Sequence, residues 1–500
     1  MSRSLDASIQ QRFSSRLGLI LSALGIAVGT GNIWRFPRIA AQTGGEEGAG
    51  AFLVAWLIFL FLWSIPLIIA EYGLGRKHRS GVIGIFVKAM GGRYAWMGGF
   101  VAMVATAIAF FYAVVVGWCL YYLVQTVLYP LPHDTETAIQ IWDGFQNSGW
   151  PFLVHLAAVT FAGLSIGKGI RRIERVNKIL IPTLLIIVIL SVLRAVTLPG
   201  AGAGIGYLFR PQWDQLARPE TWLQALTQNA WDTGAGWGLF LTYAAYMKLE
   251  HGAVKNAFTT GIGNNIVSML AAVMIFGTVF SVLQGHLGMA DAQVLEVMRE
   301  SGPASTGLTF MWMPQLFAQM PLGSILAVLF FLGLSFAGFS SLIAMFELAS
   351  RLLVDTGIQR SRAVLIVVCI SYLLGIPSAR NLDFLSNQDF VWGVGLMISG
   401  AIIAGAVIKG GATAFRSDLN AMKNDWKLGK WWDYIISYFI PVAALILLIW
   451  WMFLAITQFA PGEWLNPFNP YSIATMWMQW LILLAVLLLF NKSIVKRMMG

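Results

Sequence analysis

The sequence predicts an all-α, polytopic membrane protein of about twelve transmembrane helices. Three observations carry that expectation: the composition, the recurrence of long apolar runs, and the distribution of cations. Of the 500 residues 58% are apolar and 11% charged, and the mean hydropathy is +0.71. A water-soluble domain so composed would lack the polar surface to cover its core, so the solvent must be lipid. Crossing roughly 30 Å of hydrocarbon takes about 20 mostly apolar residues. Runs of that kind start near Arg16, Ala51, Ala95, Trp150, Asn177, Trp222, Ala257, Leu322, Ala363, Asp389, Tyr434 and Tyr471. The polar start of the chain precedes a span too long for a signal-peptide core and without a small-residue cleavage site, so that span is expected to be retained.

The formal charge of +10 invites a nucleic-acid reading, but its placement excludes one. When loops alternate between two sides, Arg3, Arg12, Arg16, Arg76, Lys77, Arg79, Lys168, Arg171, Arg172, Arg175 and Lys178 fall together. Arg351, Arg360, Arg362, Lys423, Lys427, Lys430, Lys492, Lys496 and Arg497 join them. The other side holds Arg210, Arg218, Arg299 and Arg380 among many acids, including Glu46, Glu47, Asp134, Glu136, Asp291 and Glu300. The basic side is the cytoplasm, so both termini face inward in a plasma (bacterial inner) membrane, and an even number of spans agrees. Cys119 and Cys369 sit singly inside apolar spans, and the five histidines have no ligand spacing. With no nucleophile-base constellation or phosphate-binding loop, an enzyme is not expected.

Two spans look interrupted. The first contains Gly25, Gly29, Gly31 and Asn32 near its middle; the sixth reads Trp231-Asp232-Thr233-Gly234-Ala235-Gly236-Trp237-Gly238. Small residues four apart can serve only close helix packing. Yet spans one and six hold the same place in two five-span halves, 16–198 and 199–410, as in transporters built from inverted repeats. Residues 1–15 would form an N-terminal cytoplasmic segment and 411–500 two peripheral helices. A broken helix exposes N–H groups at the start of its second half and carbonyls at the end of its first. A carboxylate suits the N–H groups around Thr30 and Gly31, and a cation suits the carbonyls around Ala27 and Trp231.

Arg16-Leu17-Gly18-Leu19-Ile20-Leu21, then Gly25, Val28-Gly29 and Gly31-Asn32-Ile33-Trp34-Arg35-Phe36-Pro37, resemble the neurotransmitter:sodium symporter family. The likeness continues through Gly50-Ala51-Phe52, Ile65-Pro66-Leu67 with Glu71, Thr242-Tyr243-Ala244 to Tyr246, and Phe336-Ala337-Gly338-Phe339-Ser340-Ser341. It implies sodium-driven import of an amino acid and two Na+ sites. One would use the carbonyls of Gly25, Val28 and Ala337 with the hydroxyls of Ser340 and Ser341. The other would use Ala27, Asn32, Asp232 and Asn264 together with the substrate carboxylate, so that ion and solute strengthen each other. Pocket positions carried over are Ala27, Thr30, Gly31, Ile108, Tyr112, Trp231, Gly234, Trp237, Ser341 and Met345. The absence of an acid at Gly29 leaves room for a carboxylate-bearing solute.

Asp232 departs from the family pattern, which has Ser or Thr there. Animal members hold chloride with a Tyr, a Gln and two Ser-like residues; Trp56, Gln228, Asp232 and Ser268 align with these, and the Tyr is missing. Asp232 is expected to supply the fixed negative charge and make transport independent of chloride. An intramembrane carboxylate calls for a cation beside it. It could instead cap the broken helix, or take up a proton in a proton-coupled carrier; a transport-inactive sensor would keep the same fold. Arg35 and Asp389 match the family's outer gate. Asp355 matches the acid of the inner gate, whose arginine falls on Gln10, leaving Arg12 as the nearest substitute. A monomer or weak dimer is expected.

Overall fold

A computed structural model describes residues 11–248, 250–299 and 307–499; Arg3, Asp6, Gln10 and Glu300 lie outside them. All regular structure among the described residues is helical. Among the described residues eight helices, or eleven spans with three bent pairs, are long and apolar enough to cross a membrane. With the broken α6 they follow in order: α1a Arg16–Ala27 with α1b Thr30–Thr43, α2 Gly50–His78, α3 Ala95–Leu128, α4 Trp150–Ile166, α5 Ile170–Val196, and α6a Pro219–Asp232 with α6b Leu239–Ala244. They continue with α7 Ala253–His286, α8 Gly323–Asp355, α9 Arg360–Arg380, α10 Leu382–Gly410, α11 Trp431–Phe459 and α12 Ile473–Leu489. Eight are single helices of 21 to 34 residues, long enough to cross hydrocarbon at about 1.5 Å per residue.

Two starts differ from the apolar-run reading. Helix α5 begins at Ile170 rather than near Asn177, and α10 at Leu382 rather than near Asp389. Their first turns are polar, so hydropathy alone passes over them. Helix α10 has a cap that explains its start: Asn381 Oδ1 accepts the Phe384 N–H at 2.8 Å.

The spans form an inner group and a rim. The most apolar stretch of α2, α3, α7 and α8 is 72 to 78% buried by protein, against 33 to 39% for α5, α9 and α11. The rim turns Ile186, Leu193, Leu373, Leu445 and Ile449 outward, where only lipid can cover them.

Both expected breaks are present. Helix α1a ends at Ala27; Val28 and Gly29 are extended, and α1b leaves at 47° to α1a. Gly29 N–H donates to Asn32 Oδ1 at 2.8 Å, closing the new helix start locally. In α6 the break runs from Thr233 to Gly238, and Gly234, Gly236 and Gly238 have φ of 69°, 86° and 78°. Side chains avoid that left-handed region. At Gly236 a Cβ would also stand 2.9 Å from Gly400 Cα of α10.

Helix α2 bends through a π-turn at Leu60–Ser64, just before Pro66. Proline lacks the N–H that would continue the ladder. The turn brings Ser64 to α6a, where its hydroxyl donates to Asn229 Oδ1 at 3.2 Å and accepts from Thr233 Oγ1 at 3.0 Å.

Gly236→Ala should therefore destabilise the protein by about 1 to 3 kcal/mol from the backbone alone, read as a lower melting temperature of the purified protein. A melting temperature equal to the parent's would contradict the close approach of the α6 break to α10.

Candidate functional site

A cavity of about 610 Å³ runs from the two breaks to exposed Gln42 and Gln458, on the face where α1b and α11 end. Its floor is built by Ala27, Gly29 and Thr30 of α1, Tyr112 of α3, Asp232, Gly234 and Trp237 of α6, and Ser341 and Met345 of α8. Gly31 and Trp231 also line it, so nine of the ten expected pocket positions meet there. Ile108 is the exception: it is fully buried and does not line the cavity, whereas Phe111 and Val115, nearby on α3, do. Ile108 shares the helical face of Phe111 and Tyr112 but sits one turn nearer the start of α3, a difference of depth that family position alone did not resolve.

Two clusters of oxygen flank the break in α1. In the first, Ser340 Oγ lies 2.9 Å from the Ala337 carbonyl and 3.4 Å from that of Val28, while Ser341 Oγ lies 3.2 Å from the Gly25 carbonyl. The five expected oxygens thus fall in two neutral sets, one about Ser340 and one about its neighbour Ser341, all between α8 and the end of α1a. In the second, Asn264 Oδ1 faces the carbonyls of Ala27 and Asp232, each at 3.1 Å. Turning this amide would let its nitrogen donate to both carbonyls, but it would set that nitrogen 2.8 Å from Asn32 Nδ2. The orientation shown, with three oxygens converging, is the one a cation satisfies. Donor sets of oxygen alone suit a hard cation. Asn32 does not present its oxygen here: Oδ1 is held by Gly29 N–H, and Nδ2 donates to Asn264 Oδ1 at 2.8 Å and Ser268 Oγ at 2.7 Å.

The Asp232 carboxylate adjoins this second cluster. Its Oδ2 accepts from Ser268 Oγ at 3.4 Å and Gln228 Nε2 at 3.5 Å, while Oδ1 is buried without a partner. Trp56, the fourth residue of the aligned set, packs on Phe36 with ring centroids 4.4 Å apart and has an unpartnered Nε1. Near the carboxylate the Arg35 guanidinium lies over the Trp231 ring, 4.8 Å from its centroid.

Around the floor, Thr30 N–H and Oγ1 both stand 3.2 Å from the Tyr112 hydroxyl. A Cβ on Gly29 would meet Ser341 Oγ at 3.0 Å and that same hydroxyl at 3.1 Å. Glycine here keeps both hydroxyls in reach of the cavity. Trp237 meets Trp231 edge to face and donates its Nε1–H to the Ala230 carbonyl at 3.0 Å.

Arg35 and Asp389 both line the upper cavity, with no ion pair joining them among the described residues. The inner pair is different from the expectation. Asp355 is held by Arg351 Nε at 2.7 Å and by Gly81 N–H at 2.5 Å, and Arg12 makes no ion pair with it. Asp355 and Arg351 are one helical turn apart on α8, so the nearer cation wins. Closure on that face comes from other groups. Phe13 is fully buried, with its N–H on the Tyr246 carbonyl at 3.2 Å; Glu174 accepts from Ser14 N–H at 2.7 Å; Glu347 is held by Arg360 and by Tyr246 Oη at 2.6 Å.

A helical membrane protein whose paired broken spans open a midplane cavity to one face only has the architecture of a secondary transporter. Comparison with known proteins agrees. The sequence profile of the Sodium:neurotransmitter symporter family matches residues 10–148 and 136–499. The chain belongs to that family: it is a sodium-dependent symporter, not an enzyme. It is 31% identical over 449 residues to an uncharacterized sodium-dependent transporter of Methanocaldococcus jannaschii, covering 87% of this chain and 88% of that one. The sodium-dependent serotonin transporter of Drosophila melanogaster is 27% identical, covering 89% of this chain and 77% of that protein. The crystal structure of MhsT in complex with L-phenylalanine superposes with a TM-score of 0.75 at 28% identity, covering 88% of this chain and 99% of that one.

Glu71 carries a role that its place in the sequence motif did not reveal. Fully buried on α2, it accepts Gly236 N–H at 2.7 Å and Leu241 N–H at 3.3 Å, capping the start of α6b. Only an acid inside an apolar span hinted at it. Glu71→Ala leaves both donors unpaired, at about 1 to 3 kcal/mol each; Glu71→Gln keeps one acceptor and should cost less. Thermal unfolding of the two variants tests the ranking, and an inverted order would remove Glu71 from this role.

Proposed function

We propose that this chain imports an amino acid by sodium-coupled alternating access, independently of chloride, with Asp232 as the fixed negative charge. The observation that carries this reading is the meeting of Ala27 O, Asp232 O and Asn264 Oδ1 beside the Asp232 carboxylate, next to a cavity that also reaches the start of α1b at Thr30 and Gly31. One sodium ion binds there, and a second binds among Gly25, Val28, Ala337, Ser340 and Ser341. Asn32 acts on the first by orienting Asn264 and Ser268 through its amide.

The solute's carboxylate faces the N–H groups at Thr30 and Gly31 and the Tyr112 hydroxyl, and its amine faces the carbonyls at the α1 and α6 breaks. Trp231, Trp237, Met345, Phe111 and Val115 give its side chain apolar and aromatic walls. That MhsT was solved with L-phenylalanine supports an amino acid, and supports an apolar one. Sodium beside Asp232 and the solute carboxylate share one field, so each binds more tightly when the other is present. With the cation-rich loops read as cytoplasmic, both termini lie inside and the open upper cavity with the packed Phe13 region corresponds to an outward-facing arrangement; the chain works as a monomer or weak dimer.

A thermal-shift screen of the twenty amino acids, with and without sodium, should give stabilisation that needs both. Uptake into proteoliposomes should stop when choline replaces sodium at fixed pH; continued uptake would transfer the driving role to protons, and binding without accumulation would make the protein a sensor.

Asp232→Asn should raise the sodium concentration for half-maximal uptake about tenfold to a hundredfold, the worth of one charge-assisted contact, or make uptake respond to chloride. Unchanged sodium dependence without chloride would contradict the placement of that charge. Asn32→Ala should weaken sodium and solute binding together in equilibrium titrations; loss of one with the other intact would undo the shared site.

A further inference from the structure

Four charged side chains line the cavity: Arg35 and Arg38 on α1b, Asp232 on α6a and Asp389 on α10. Arg35 is the cation expected to close the vestibule on Asp389. Here it is turned down onto the Trp231 ring, within electrostatic reach of both Asp232 and Asp389. Two acids therefore compete for one guanidinium, which would leave one of them uncompensated in a largely protein-walled space. Arg38 resolves the count. Three residues after Arg35 on the same helix, it shares that residue's face, lines the same cavity, repels Arg35 and attracts Asp389. The Nε atoms of both arginines are buried without partners, and neither guanidinium is in an ion pair among the described residues.

We propose that Arg38 is a positioning residue of the outer closure: it compensates Asp389, so that Arg35 stays on Trp231 beside Asp232 and the vestibule stays open. Without Arg38, Asp389 draws Arg35 across the cavity and the vestibule closes before the solute arrives. The direction follows from the signs alone. Removing a like charge from beside Arg35 and a competing cation from beside Asp389 both favour the Arg35–Asp389 bridge. The effect needs only the four side chains, so it holds whether or not Asp232 is a sodium ligand.

The test uses the full chain in lipid nanodiscs, with Cys369→Ser to remove the exposed thiol and Ser386→Cys as a reporter in the vestibule wall; native Cys119 is buried. Labelling is timed with an uncharged maleimide, so that loss of a cation does not itself change the local reagent concentration, in sodium and without solute. Arg38→Gln should slow labelling about tenfold, the shift expected when a mostly open population becomes a mostly closed one. Arg38→Lys should label like the parent because a point charge suffices. Arg38→Gln with Asp389→Asn should return to the parent rate, and Arg35→Gln should not slow labelling. In uptake, Arg38→Gln should raise KM with kcat nearly unchanged. A labelling rate for Arg38→Gln within about twofold of the parent, or a slowing that persists in the Asp389→Asn double variant, would overturn the proposal. The second outcome would mean that the substitution acts through packing and not through charge.

Discussion

In hydrocarbon a backbone N–H or carbonyl has no water to turn to, and that one constraint organises the molecule. Ten of the spans meet it by staying helical, with local π-turns or prolines in some. The two that do not are broken where they line the cavity, and each interruption is balanced by a specific side chain. At the α1 break Asn32 Oδ1 takes the Gly29 N–H; at the α6 break Glu71 takes the Gly236 and Leu241 N–H groups. Groups left over, such as the carbonyls of Ala27 and Asp232, point where a cation can use them. Structural need and binding chemistry are here the same set of atoms.

Much of this was legible because its signals are local. Glycine triplets inside an apolar run, repeated in spans one and six, foretold both breaks, and the positive φ at Gly234, Gly236 and Gly238 shows why no other residue serves as well. The serine pair Ser340-Ser341 was legible through the family motif, and its contacts to α1 carbonyls follow from α8 packing against the broken helix. What could not be read was which of several candidate partners a side chain takes. Asp355 had a cation one turn away in Arg351, so the expected contact with Arg12 was not needed. Ile108 missed the cavity although it shares a helix face with Tyr112, because the depth at which the cavity ends along α3 is set by the other helices that close its floor. The π-turn at Leu60–Ser64 has no signature beyond Pro66, yet it delivers Ser64 to the α6 break.

The two faces of the protein are governed by different physics. On the terminal face the seal is made of packing and buried pairs: Phe13 without exposure, Glu174 on the Ser14 backbone, and Glu347 held by Arg360 and Tyr246. Removing such groups from water makes any single opening step costly, because each charge must keep or replace its partner. On the opposite face the charges line a cavity and no ion pair joins them. A vestibule of that kind can respond to one added or removed charge, whereas a packed seal must come apart as a unit.

That asymmetry bears on how a cation can be coupled to a solute without net charge. An intramembrane carboxylate costs about 2.5 to 3.5 kcal/mol on insertion scales when nothing compensates it, and before an ion enters, Asp232 has only Gln228, Ser268 and the more distant guanidinium of Arg35. In the reading proposed, sodium at the Ala27, Asp232 and Asn264 oxygens removes that cost and at the same time weakens the hold of Asp232 on Arg35. The solute carboxylate then sees a less negative floor, and Arg35 becomes available to Asp389 once the solute has filled the space beneath Trp231. Ion binding, solute binding and outer closure thereby draw on the same four charges, in an order set by electrostatics: a zwitterion arriving first would place its carboxylate near an uncompensated Asp232.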